Sequence, residues 1–331
     1  MRPDDAPFSK PAFLQLHHAD AAETQVELVA GLSAAAPYVS PKFLYDALGS
    51  KLFEAITELP EYYPTRTEAA IVARHGANIA ARIGDVGTLV DLGAGNCAKA
   101  ARLFDQLLPA RYVAVDISVD FLREALLRLA VQHPGIEMRG YGLDFSQRLA
   151  LPLEAVHGRP VFFYPGSSIG NFAPSAALAL LRQVREQADS GGLLIGVDLV
   201  KQHEVLDAAY DDALGVTAAF NLNLLRHLNR EIGSDFDPAQ WRHVAFYNEA
   251  LSRVEMHLEA RSALIVRWRG GERRFALGER LHTENSYKYT LSAFADLLVQ
   301  AGFAAVEPWL DERGWFAVFW AEARVTERST C

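Results

Sequence analysis

The hydrophobic positions of this chain change their period several times, and each change marks an element. Residues 23–36 are rich in Ala, Leu and Val until Pro37 and Pro41 interrupt them, which predicts a helix. Phe43, Leu44, Leu48, Leu52, Phe53 and Ile56 fall at helical spacing and predict a second. Leu59-Pro-Glu-Tyr-Tyr-Pro-Thr-Arg-Thr-Glu68 reads as a loop that opens a further helix near Thr65 or Thr67. From about 68 to 200, short apolar runs near 88–92, 112–116, 137–142, 160–164 and 193–199 alternate with helix-period segments. That alternation predicts a parallel sheet with helical crossovers. Residues 203–232 read as helical, and residues 242–276 alternate as strands, for example Val254, Met256, Leu258 and Ala260. Helical spacing returns at 291–301, and Phe316-Ala-Val-Phe-Trp-Ala321 reads as a strand.

These periods define an α/β fold with a Rossmann-like sheet and a second, α+β lobe. The sheet domain is expected from residues 68–202 and 290–331, the second lobe from 1–67 and 203–289. A chain of 331 residues is long enough for both. Its net charge of −9 argues against a nucleic-acid surface. No apolar run is long enough for a membrane span, and the N-terminus lacks the basic and apolar segments of a signal peptide. Only Cys97 and Cys331 are present, so no structural disulfide is expected, and the reading is cytoplasmic. No Cys/His group has metal-binding spacing, so no metal is expected, and His17-His18 reads as an isolated solvated pair.

The candidate chemistry begins at Leu89-Val-Asp-Leu-Gly-Ala-Gly-Asn-Cys-Ala-Lys99. Gly93 and Gly95 follow a buried strand and allow a sharp turn with close approach of a ligand to the backbone. Asp116, 25 residues after Asp91, ends the next strand, where a carboxylate binds both hydroxyls of a ribose. Gly93, Gly95 and Ala98 also satisfy the dinucleotide fingerprint, which leaves an NAD-dependent dehydrogenase as one alternative. Two acids point instead to S-adenosylmethionine. Asp91 is placed to reach a ligand's positive amine, and Asp144, with Phe145 beside it, to bind and cover adenine. Glycine turn, ribose acid and adenine acid in this order resemble the Rossmann-like methyltransferases.

A second constellation follows. Phe162-Phe-Tyr-Pro-Gly-Ser-Ser-Ile-Gly-Asn171 lies at a strand end, where Gly166 and Gly170 leave room for a ligand and Asn171 offers donors and an acceptor. Asn171 as a helix cap is the alternative. His282-Thr-Glu-Asn-Ser-Tyr-Lys-Tyr289 concentrates polar side chains and reads as either a solvated loop or part of a site.

These segments, together with Pro41-Lys-Phe-Leu-Tyr-Asp46, Tyr210-Asp-Asp-Ala-Leu-Gly-Val-Thr-Ala-Ala-Phe-Asn221 and Arg253-Val-Glu-Met256, resemble the histidine-specific methyltransferases of ergothioneine biosynthesis. The resemblance runs from about residue 25 to the C-terminus. It implies trimethylation of the α-amino group of L-histidine to hercynine with S-adenosylmethionine. It places Tyr62, Gly166, Asn171 and Tyr210 at the substrate's amino acid end, with Asn171, Tyr62 and Tyr210 as the catalytic set. Glu284 and Ser286 fall to the imidazole, Met256 to the wall of the ring pocket, and Asn285 among the substrate-binding residues. Tyr45, Gly93, Gly95, Lys99, Asp116, Leu143, Asp144 and Phe145 fall to the cofactor. The implied partners are L-histidine and its mono- and dimethyl intermediates, bound by a monomer with no nucleic-acid or membrane partner. A related amino acid or a thiolated histidine as substrate, and a non-catalytic cofactor-sensing module, are the other readings. Histidine is favoured by Glu284, whose carboxylate would accept a ring N–H. No residue stands out as a general base.

Overall fold

Every apolar run expected between residues 88 and 199 forms a strand in the computed structural model, which describes residues 10–17, 21–117 and 119–323. His18 and Cys331 lie outside the described residues. The strands in chain order are β1 (Ala12–Gln15), β2 (Thr88–Leu92), β3 (Arg111–Asp116), β4 (Glu137–Gly142), β5 (Pro160–Tyr164), β6 (Gly192–Asp198), β7 (Trp241–Asn248), β8 (Arg253–Ala260), β9 (Leu264–Trp268), β10 (Gly271–Phe275), β11 (Arg280–Tyr287), β12 (Phe303–Leu310) and β13 (Phe316–Ala323). The described residues fall into two compact units. One draws on Met1–His18, Thr67–Leu199 and Tyr289–Cys331, the other on Ala19–Arg66 and Val200–Lys288. Among the described residues, no helix is long and apolar enough to cross a membrane.

The first unit is an α/β domain on an eight-stranded sheet of order β1-β4-β3-β2-β5-β6-β13-β12. β1 to β6 are parallel, and β13 and β12 close the far edge antiparallel. Strand alternation sends neighbouring residues to two separate cores. Val90, Val113 and Phe162 pack with Leu180, Leu181 and Val184 of the helix Pro174–Ala188 and with Phe294 and Leu298 of Leu291–Gln300. Leu89, Tyr112 and Val161 pack on the other face with Ile71, Ile79 and Ile83 of Tyr63–Ile83 and with Leu122 and Leu126 of Val119–Gln132. Sheet residues buried on both faces explain the continuous apolar runs in the sequence.

Three details depart from the sequence expectation. Residues 12–15 pair with β4 instead of joining the second lobe. Phe13 and Gln15 fill the space that side chains at Gly140 and Gly142 would take, a fit that no periodicity reveals. The helix expected after the glycine turn is two short ones, Ala98–Ala101 and Phe104–Leu107. β12 was not anticipated, because Ala305 sits at φ 46°, the pairing shifts between Ala304 and Glu307, and Pro308 follows. A proline and a bulge erase the alternation but are tolerated in an edge strand.

The second unit holds an antiparallel sheet of order β11-β8-β7 and the hairpin β9–β10. The helix expected over 203–232 is interrupted. His203–Tyr210 ends, and Gly215 at φ 75° precedes Val216–Ile232. The Asp212 carboxylate accepts from Val216 N at 3.0 Å and Thr217 N at 2.7 Å, so this acid caps the second helix. Val216–Ile232 packs on Ala47–Thr57 and on β7 and β8. Asp46 caps Ala47–Thr57 through Gly49 N at 2.7 Å and accepts from Asn223 and Arg230 of the facing helix. The adjacent Tyr45 packs edge-on against Phe53 and Phe220.

Candidate active site

In the first unit the strand ends converge on the glycine turn. Gly93 and Gly95 adopt φ 69° and 53°, which favour glycine, and Gly93 N and Ala94 N donate to Val115 O. The Asp116 carboxylate accepts from Gly95 N at 3.0 Å and Ile117 N at 2.8 Å, pinning the turn to the end of β3. Leu143 N donates to Asp116 O at 2.7 Å, and the Phe145 ring stands near Gly93. Asp144 accepts from Ser146 N, Ser146 Oγ and Gln147 Nε2, so its carboxylate organises its own turn as well as standing at the end of β4. Gly93, Gly95, Asp116, Leu143, Asp144 and Phe145, the residues expected at the cofactor, are therefore brought together at the ends of β2, β3 and β4.

Asp91 is 1% exposed, with one oxygen 2.7 Å from the Tyr112 hydroxyl that donates to it. Its Oδ1 has no partner among the described residues. Burial pushes its carboxyl up to about 7, against the Tyr112 hydrogen bond and the Lys99 charge. A ligand ammonium there would satisfy the free oxygen and restore the ionised form. Burial also lifts the Cys97 thiol to about 12, so Cys97 is packing material here and not a nucleophile.

Lys99 connects this set to the loop that follows β5. Its ammonium lies 3.0 Å from the buried Glu68 carboxylate, and Glu68 accepts from Gly166 N at 2.8 Å. A side chain at Gly166 would collide with Lys99 Nζ. Asn171 closes the 3-10 turn Ser168–Asn171, and the next helix is capped at Ala173, so Asn171 is not its N-cap. Glu68 was not singled out in the sequence. Its only signal there is its place at the end of the Thr-Arg-Thr-Glu segment.

The second unit holds a pocket lined by Tyr45, Phe53, Tyr62, Tyr210, Phe220, Met256 and Glu284 among others. The 282–289 segment, open as a loop in the sequence reading, forms β11, which pairs with β8 so that Glu284 stands opposite Met256. Glu284 is 7% exposed, and its Oε2 has no partner among the described residues. Burial raises its carboxyl to about 7, opposed by the Lys288 charge. Tyr62 meets Tyr210 edge-on at 6.3 Å, and the Tyr210 hydroxyl donates to Ser286 Oγ at 2.7 Å. Tyr45, assigned to the cofactor by resemblance, lines this same pocket. Asn285 does not: a strand alternates its faces, and Asn285 Oδ1 instead meets His282 Nε2 at 2.9 Å on the other side of the sheet. That face also brings ligand atoms of Glu255, His257 and His282 within 4.8 Å of one another, a group formed by strand pairing that no sequence spacing displays. Arg253 and Asn248 already bind Glu255 Oε1 there.

The glycine turn, Asp116 at the end of β3 and the buried, half-unpartnered Asp91 agree with an S-adenosylmethionine-dependent methyltransferase. Residues 24–323 match the family of histidine-specific, SAM-dependent methyltransferases, and the chain belongs to it. It is 41% identical over 297 residues to the histidine N-alpha-methyltransferase of Mycolicibacterium smegmatis, covering 87% of this chain and 91% of that one. Identity to the enzyme of the same name from Mycobacterium tuberculosis is 37% over 302 residues, with 88% and 92% covered. Ergothioneine biosynthesis protein 1 of Neurospora crassa is 31% identical over 277 residues, covering 80% of this chain and 31% of that protein.

Proposed function

We propose that this chain transfers three methyl groups in succession from S-adenosylmethionine to the α-amino nitrogen of L-histidine, giving hercynine in ergothioneine biosynthesis. The observation that carries this reading is the unpartnered Oε2 of Glu284, buried in an aromatic pocket opposite Met256. A flat apolar ring with an N–H fits that combination, because the carboxylate gains the hydrogen bond it lacks. When bound, S-adenosylmethionine supplies an electrophilic methyl group on a sulfonium sulfur. Asp116 and the turn at Gly93 and Gly95 would hold its ribose, and Asp91 its amine. Gly166, Asn171, Tyr62 and Tyr210 would orient the amino acid end so that the nitrogen lone pair points along the line of displacement. Such positioning supplies up to roughly 7–11 kcal/mol of a barrier. Each transfer needs a neutral amine, so the ammonium form first releases one proton to solvent. The third product is a quaternary ammonium with no lone pair, so the sequence ends there. The protein would act as a cytoplasmic monomer on this small molecule and its methylated intermediates.

Mass spectrometry of the purified protein with S-adenosylmethionine and a panel of amino acids tests the reading. Gains of one, two and three methyl groups on histidine are expected; modification of another amino acid in preference to histidine would overturn it. Asn171→Ala is expected to raise the Michaelis constant for histidine or lower turnover while S-adenosylhomocysteine binds as before. Wild-type kinetics in that variant would leave Asn171 as a turn residue only.

A further inference from the structure

The hydroxyls beside Glu284 are not free to choose their hydrogen-bonding roles. Lys288 is 3% exposed and follows β11 directly, where the alternation that buries Glu284 and Ser286 continues. Its ammonium donates to Ser286 Oγ at 2.8 Å and to the Tyr210 hydroxyl at 3.0 Å. An ammonium has donors only, so both oxygens must accept from it. Tyr210 then donates its own O–H to Ser286 Oγ. Ser286 Oγ therefore accepts twice, which uses both lone pairs, and its proton is left to be donated. Two residues away on the same face, Glu284 presents an acceptor oxygen.

A neutral imidazole carries one N–H and one bare nitrogen, so it needs one acceptor and one donor. An imidazolium carries two N–H groups and needs two acceptors. We propose that Lys288 is a positioning residue that fixes Ser286 as a donor opposite the Glu284 acceptor, so that the pocket takes the neutral histidine ring and rejects the imidazolium. The inference rests on the histidine reading above. With Glu284 ionised, its charge and that of the neighbouring Lys288 offset each other, which gives a cationic ring no advantage. Tyr45, Tyr62 and Tyr210 also line the pocket, and the ring of His243, which meets Tyr210 O at 2.8 Å, is held towards its neutral form by burial.

The test compares histidine with 1,2,4-triazolylalanine, whose ring offers an N–H and a bare nitrogen but stays neutral across the range used. The ratio of the two kcat/KM values between pH 5.5 and 8 cancels ionisations of the protein and of the α-amine. In the wild-type protein this ratio should fall about tenfold per unit below ~6.5, the usual imidazole pKa. Lys288→Met should flatten the fall, and Lys288→Arg should keep it. A flat wild-type ratio overturns the proposal whatever the variants do, as does a Lys288→Met ratio that still falls tenfold per unit or a Lys288→Arg ratio that is flat. If the wild-type protein methylates neither compound, the histidine reading itself fails and the proposal falls with it.

Discussion

Replacing Glu284 with alanine should weaken histidine about 10–150-fold, the cost of roughly 1.5–3 kcal/mol for a charge-assisted hydrogen bond in a buried site. With Met256→Val as well, the wall opposite would become smaller and wholly apolar, so tryptophan should gain on histidine in a competition assay. An unchanged preference in the double variant would remove Glu284 from ring recognition. The same carboxylate has a signature in stability. Burial lifts it to about 7, above an ordinary carboxyl of 4.5. The folded protein then holds a proton that the unfolded chain releases, so raising the pH from about 4.5 to 7 works against folding. Glu284→Gln should match the wild type below pH ~4.5 and exceed it above pH ~7 by on the order of 3 kcal/mol in the ligand-free state. Thermal denaturation at the two ends of that window measures the difference, and equal melting temperatures at both would contradict the assignment.

Asp116→Ala should have the second large effect, on the cofactor. On the proposed reading the variant loses a charged acceptor for two ribose hydroxyls, each bond worth about 1.5–3 kcal/mol. It also loses the anchor that holds Gly95 N at 3.0 Å. Calorimetry with S-adenosylhomocysteine should show affinity reduced at least ~10-fold, with the melting temperature of the empty protein moved little, because Asp116 lies at the half-exposed end of its strand. Binding as tight as in the wild type would take Asp116 out of the cofactor site.

The parallel strands were legible because both their faces are buried, so Leu89, Val90 and Leu92 read as one apolar run. β11 was not, although it carries the most specific residues of the pocket. Its buried face presents Glu284 and Ser286, and Lys288 continues it, so the alternation is polar against polar and no hydrophobic period survives. The glycine turn and Asp116 were legible from type and spacing. Asn285 was misplaced because a motif match carries no information about which face of a strand a residue occupies. Glu68 and Lys288 were missed because each acts on a neighbour, Glu68 on Gly166 and Lys99, Lys288 on Ser286 and Tyr210.

The two ends of the large sheet bear on how this protein behaves at high concentration. A long, flat, unpaired strand is a template on which another chain can add its backbone. Here one margin is β1, only four residues long, and the other is β12, where Ala305 twists out of register, Pro308 lacks an N–H and Glu307 is tied to Arg82 at 3.0 Å. Neither margin offers the uninterrupted row of donors and acceptors that strand addition needs. The irregularity that hid β12 from the sequence thus guards the sheet against self-templating, and straightening it, for example with Pro308→Val, would exchange that protection for a more regular and stickier edge.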